Sequence, residues 1–184
     1  MKRIAIAAVV GGVIIFLWSF ISHMLLPLGE MGFSALPNEA AVLEGLKTSI
    51  PQEGLYIFPN PATKPPGGAD TRPAGLLVFH PEGGWDISPG RLGNELFSNI
   101  LAAAVAAFIA SLLAAAYGRR VLAITLLGLF GWLSLIVSYW IWYGFPTAYI
   151  LGEGINEVVG WFLAGLAIAK IVPRAIVGHL DESG

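Results

Sequence analysis

The chain has 184 residues, 56% of them hydrophobic and only 12% charged, with a mean hydropathy of +0.74 and a formal net charge of −2. Soluble domains carry about 25% charged residues, so this composition points to a polytopic membrane protein. It has no basic cluster or zinc-like spacing, which argues against nucleic-acid binding. It has no cysteine either, which excludes disulfides, thiolate metal sites and iron–sulfur ligation.

The first element is an apolar segment at about Ile4–Leu26, preceded by Lys2 and Arg3 and ended by Pro27. Its basic start resembles a secretory signal. The apolar run, however, far exceeds the usual 7–15 residues or so, and no A-x-A site follows. It is expected to stay in place as TM1.

Residues 27–87 form a long loop with three basic residues (Lys47, Lys64, Arg72) and seven acidic ones (Glu30, Glu39, Glu44, Glu53, Asp70, Glu82, Asp86). Its patterning exceeds that of a linker. Residues 37–47 predict a short helix capped by Asn38. The runs GLYIFP (54–59) and GLLVFHP (75–81) resemble each other and predict two strands, paired as a hairpin around a Pro- and Gly-rich excursion, 60–74. Such a hairpin is marginal in water, so it is expected to pack on the membrane surface, on helix extensions or on a partner. His80, between strand and Pro81, has a plain loop role.

TM2 starts with Ser88 as N-cap and Pro89 in the first turn. It is expected to span 88–117, with Gly118 as C-cap. TM3 follows at 121–143, then a tight turn at Gly144-Phe145-Pro146. TM4 covers 147–172, where Pro173 ends or kinks it, and 173–184 form a tail. The predicted fold is thus an all-α membrane protein of four transmembrane helices, with a small extracytoplasmic α+β region between TM1 and TM2. Lys2, Arg3, Arg119, Arg120, Lys170 and Arg174 all fall on one side of four crossings. By the positive-inside rule both termini are cytoplasmic and the 27–87 loop is periplasmic or extracellular.

Only TM4 carries carboxylates within its apolar run. Glu153 and Glu157, four apart with Asn156 beside them, share one helix face. Counting about 20 residues inward from each cytoplasmic charge places the outer boundary near His23, Asn99, Trp140 and Ile150. Glu153 then lies roughly 5 Å and Glu157 roughly 10 Å inside it. Ser19, Ser22 and His23 of TM1, Asn94, Glu95, Ser98 and Asn99 of TM2, and Ser134, Ser138 and Tyr139 of TM3 reach the same level. The expectation is a polar cluster in the outer half of the bundle, built on Glu153, Asn156, Glu157, His23, Asn99 and Tyr139.

Two carboxylates and a histidine suit a hard divalent ion, a proton relay or a small polar ligand. The structural alternative is interhelical hydrogen bonding. Taken alone, Glu153 suits a water-exposed or capping role, Glu157 either function or packing, and His23 an interfacial position. The Glu-x-x-His partners of a di-iron bundle are missing, and no cofactor is indicated.

Trp140, Trp142, Tyr143, Phe145 and Tyr149 crowd the TM3–TM4 turn. They read as an outer aromatic belt, or as a surface for a neighbouring membrane subunit or a pigment. Ala102, Ala106, Ala110 and Ala114 form a small-residue ridge on TM2, and Gly160 with Ala164 one on TM4. Both suit close helix contact, TM2 on TM4 or on another subunit.

The strings SHMLLPLGEMG, GLLVFHP, SYWIWYGFP and NEVVGWFLAGLAIA resemble a family of small four-helix bacterial inner-membrane proteins of uncharacterised activity. The resemblance spans most of the chain and implies membrane location and bacterial origin. It carries over no catalytic or binding residue.

With no nucleotide, nucleophile-elbow, metalloprotease or haem-ligand motif, the first functional expectation is a non-enzymatic accessory subunit of a larger bacterial membrane complex, with a respiratory or photosynthetic assembly as host. Its partners are the lipid bilayer and other membrane subunits. The alternative is a small oligomeric transporter, sensor or metal- or proton-handling protein using the TM4 carboxylates, although no inverted repeat relates the two halves. A third reading, an enzyme acting on lipid or quinone, rests on the two carboxylates alone.

Overall fold

The computed structural model describes residues 1–63, 70–83 and 87–175. Residues 64–69 of the hairpin excursion and 176–184 of the tail lie outside the described residues. Four helices are long and apolar enough to cross a membrane: Lys2–Leu25, Pro89–Leu112, Tyr117–Tyr143 and Thr147–Ile171. At about 1.5 Å per residue, each exceeds a hydrocarbon core of about 30 Å.

The first of these is α1 (Lys2–Phe20), continued by a π-helical turn at Ile21–Leu25. Leu26 is extended and Pro27 opens a 3-10 turn to Glu30. In the loop, α2 (Glu39–Ser49) forms as expected, but the Asn38 cap does not. Asn38 adopts a left-handed backbone, φ 53°, and its side chain makes no capping bond. It supports the bend into the helix, a conformation asparagine tolerates. Strands β1 (Gly54–Phe58) and β2 (Gly75–Phe79) pair antiparallel from Gly54↔Phe79 to Phe58↔Gly75. Each stops before its proline, which cannot donate to the ladder. His80 faces Glu53 at 3.2 Å across the open end.

Helix α3 (Pro89–Leu112) starts on its expected cap, with the Arg91 N–H donating to Ser88 Oγ at 3.3 Å. It ends a turn early. Residues 113–116 leave the helix despite three alanines, and Gly118 lies in the first turn of α4 (Tyr117–Gly131) instead of capping α3. Tertiary bonds outweigh the helical propensity of alanine here. The break lets Tyr117 donate to Leu166 O at 3.0 Å. It also lets Arg120, 5% exposed, donate to Val172 O at 2.7 Å and to Ala169 O. Arg120 thereby caps the C-terminus of α6 (Thr147–Ile171). A π turn at Trp132–Ile136 joins α4 to α5 (Val137–Tyr143). Gly144, φ 69°, then reverses the chain into α6.

In the bundle, α1 and α6 form the central pair, α3 packs on α1, and α4 packs on the other side of α6. The core is small-residue-rich, with Ala7, Ala103, Ala106, Ala107, Ala110, Ala164 and Ala169 around Ile124 and Ile168. This corrects the expected ridge. Ala102 is only half-buried, and Ala114 is exposed beyond the end of the helix. The buried face of α3 meets mainly α1, not α6, because Gly12 admits the α3 backbone. A Cβ there would fall 2.6 Å from Ile100 Cα. On α6, Gly160 receives the Trp18 ring of α1 at 3.0 Å from where a Cβ would be. Across the α4–α6 contact, Gly128 admits the backbone of Glu157 at 2.8 Å.

Candidate functional site

At the end of the bundle nearest the 27–87 loop, α1, α3 and α6 enclose a half-open cavity of about 420 Å³. Helical spacing brings Glu153, Asn156 and Glu157 of α6 onto its wall. Ser19 and His23 come from α1, and Glu95 and Asn99 from α3. Six polar residues expected from the sequence besides Asn99 therefore meet in one place, drawn from three separate segments.

Asn156 ties the floor together. It is buried, its Oδ1 accepts from Ser22 Oγ at 2.7 Å, and its backbone carbonyl accepts from the Trp18 indole at 3.0 Å. Next to it, His23 Nδ1 lies 2.9 Å from Ser19 O. A carbonyl only accepts, so Nδ1 carries the proton. His23 Nε2 faces Glu153 Oε1 at 3.8 Å. Glu153 keeps 20% of its side chain exposed and faces this histidine. Glu157 Oε2 accepts from the Trp161 indole at 3.0 Å, and Glu95 Oε1 from Asn99 Nδ2 at 3.1 Å.

Tyr139 does not join this cluster. Because α4 and α5 lie on the far side of α6, Tyr139 stacks on Phe145 with ring centroids 5.3 Å apart and lies 6.1 Å from Tyr143. Ser134 and Ser138 donate back to Gly131 O and Ser134 O on their own segment. Asn94 and Ser98 are exposed on α3.

Sequence reasoning missed the tryptophans. Trp18, Trp161 and Trp132 all donate their indole N–H to α6, Trp132 to Ile150 O at 2.8 Å. Trp18 and Trp161 also line the cavity. The spacing Glu157-x-x-x-Trp161 was the available signal, since residues four apart on a helix meet. Both N–H groups are thereby occupied.

Among the described residues, the cavity lining holds three glutamates and one histidine but no lysine or arginine. It therefore favours positive charge. Among those residues no group of three His, Cys, Asp or Glu is placed to hold a metal ion, so the hard-cation expectation finds no ligand cage there.

The aromatic surface divides. Trp140, Trp142 and Tyr143 are exposed, Trp142 by 78%. Phe145 and Tyr149 are half-buried inside the chain, Tyr149 lying 5.3 Å from Phe145 and 5.8 Å edge-on from Phe33. A second cleft, about 470 Å³, separates Trp142 and Tyr143 from Phe58 and Leu76 of the hairpin.

Comparison with known protein families, curated proteins and solved structures finds no match. The chain is thus defined by its own geometry: four helices of membrane-spanning length around an acidic, tryptophan-lined cavity at one end.

Proposed function

We propose that this is a multi-pass protein of the bacterial inner membrane that receives a small positively charged ligand in the cavity between α1, α3 and α6, acting as a small transporter or sensor. The observation that carries this reading is the convergence of Glu95, Glu153 and Glu157 from two helices, with His23 from a third, on one cavity whose described lining has no basic chain other than that histidine. Carboxylates at such a depth are costly unless they serve a ligand, a proton or each other. Among the described residues only Glu153 has an ion-pair partner there, His23. The basic residues at the opposite end favour a cytoplasmic placement for that end under the positive-inside rule. The cavity and the 27–87 loop then face the periplasm.

The test is binding of labelled tetramethylammonium to the full chain in nanodiscs. Saturable binding that falls at least ten-fold in Glu157→Gln and Glu153→Gln supports the reading. Binding unchanged by both substitutions, or no binding, rejects it.

A second reading, the accessory subunit of a membrane complex, is favoured by the cleft beside exposed Trp142. The hairpin there is two-stranded, an arrangement marginal by itself. Extraction from native membranes in mild detergent with mass spectrometry tests it. A stoichiometric partner that is lost in Trp142→Ala supports this role, and a lone chain or homo-oligomer removes it.

A further inference from the structure

We propose that the ligand is an amphiphilic amine, with its ammonium head in the acidic cavity and one alkyl chain in an apolar groove on the outer side of α1 and α3. This inference rests on the cation-binding reading above and adds the chain. The groove has a volume of about 470 Å³ and is almost wholly apolar, formed by Leu17 and Phe20 of α1, Met24 of the π turn that continues it, and Leu92 at the start of α3. It shares two residues, Ser19 and Glu95, with the acidic cavity.

Those two residues are the seam between a polar chamber and a hydrocarbon-lined one. Glu95 is the polar group best placed at it. Its Oε1 accepts from Asn99 on the cavity side, and the residue remains exposed. A carboxylate beside an apolar groove suits a molecule whose charge and chain are adjacent. Two features select the charge. Three glutamates repel phosphate and sulfate heads. Trp18 and Trp161 put indole rings in the lining, and the face of an indole attracts an ammonium. The volume of the acidic cavity lies in the range of small-molecule sites, about 300–1,000 Å³, so it admits a substituted head and not merely a proton.

The experiment uses the full chain in zwitterionic nanodiscs. The probes are dodecyltrimethylammonium, dodecanol and dodecyl sulfate at equal mole fraction in the bilayer, together with tetramethylammonium from water. Leu92→Trp and Met24→Trp fill the groove from exposed positions, and either suffices should the other fail to fold. The expected result is at least ten-fold tighter binding of dodecyltrimethylammonium by the wild type than by a groove-filled variant, with tetramethylammonium bound equally by both. Dodecanol and dodecyl sulfate should then bind at least ten-fold more weakly than the ammonium. Equal dodecyltrimethylammonium binding by wild type and filled variants overturns the chain assignment and leaves the cation site standing. Comparable binding of the alcohol or sulfate overturns the ammonium assignment. Failure of every ammonium to bind rejects the underlying reading itself.

Discussion

At the residue scale, Asn156 and Trp161 show how packing and charge are joined. Asn156 receives two bonds from α1, one on its side chain and one on its backbone. Interhelical side-chain bonds of this kind contribute about 0.6–1.7 kcal/mol in membranes. Asn156→Leu should therefore destabilise the bundle by roughly 1 kcal/mol, read as a lower unfolding midpoint in detergent, and no change would mean that the Ser22 contact contributes nothing. Under the proposed cation-binding function, Trp161 of the cavity lining contacts the ligand. Trp161→Ala removes a π surface worth about 1 kcal/mol, roughly five-fold in affinity for an ammonium. Trp161→Phe keeps a ring and should lose less. A titration giving equal losses for Ala and Phe would assign Trp161 to its bond with Glu157. At this scale the polar half of the site was legible, because Glu153, Asn156, Glu157 and His23 stand out against an apolar background at helical spacing. The tryptophans were not. An indole near a membrane boundary reads as part of an aromatic belt, and only the register of α1 against α6 turns Trp18 toward Asn156.

At the element scale, the connection from α3 to α4 carries most weight. Sequence reasoning treated Arg120 as a marker of orientation and ran α3 through the alanines to Tyr117. In the fold the helix stops at Leu112, and Arg120 turns back onto the final carbonyls of α6. Propensity could not reveal this, because the acceptors lie about fifty residues away in sequence. Arg120→Met should cost about 1.5–3 kcal/mol, the range for hydrogen bonds to a charged group. Arg120→Lys, which supplies charge without the forked donor, should recover only part of it. Equal stability of all three in chemical unfolding would show that the C-terminus of α6 does not need the cap. The alanine ridge held at Ala106 and Ala110 but not at Ala102 and Ala114, for a related reason. Four-residue spacing selected one stripe, whereas the buried face of α3 follows Ala103, Ala106, Ala107 and Ala110, with Ala103 against Gly11 and Ile100 against Gly12. Gly12→Val should separate α1 from α3 and cost about 1–3 kcal/mol by overpacking, and thermal unfolding of the purified variant measures it.

For the whole molecule, four long apolar runs bounded by charges, prolines and glycines made the four helices legible. The order in which those helices pack was not legible. Nothing in the spacing states that α6 lies between α1 and α4. That order decides the site. It gives the acidic face of α6 to α1 and α3, and leaves Tyr139, Ser134 and Ser138 on the other side. On the proposed function, the acidic cavity holds a cation. Equilibrium binding of labelled tetramethylammonium to nanodisc-embedded wild type, Glu157→Gln and Glu153→Gln tests it most directly. The account predicts saturable binding to the wild type and at least a ten-fold loss in each variant. Absence of binding, or affinity indifferent to both carboxylates, would contradict it.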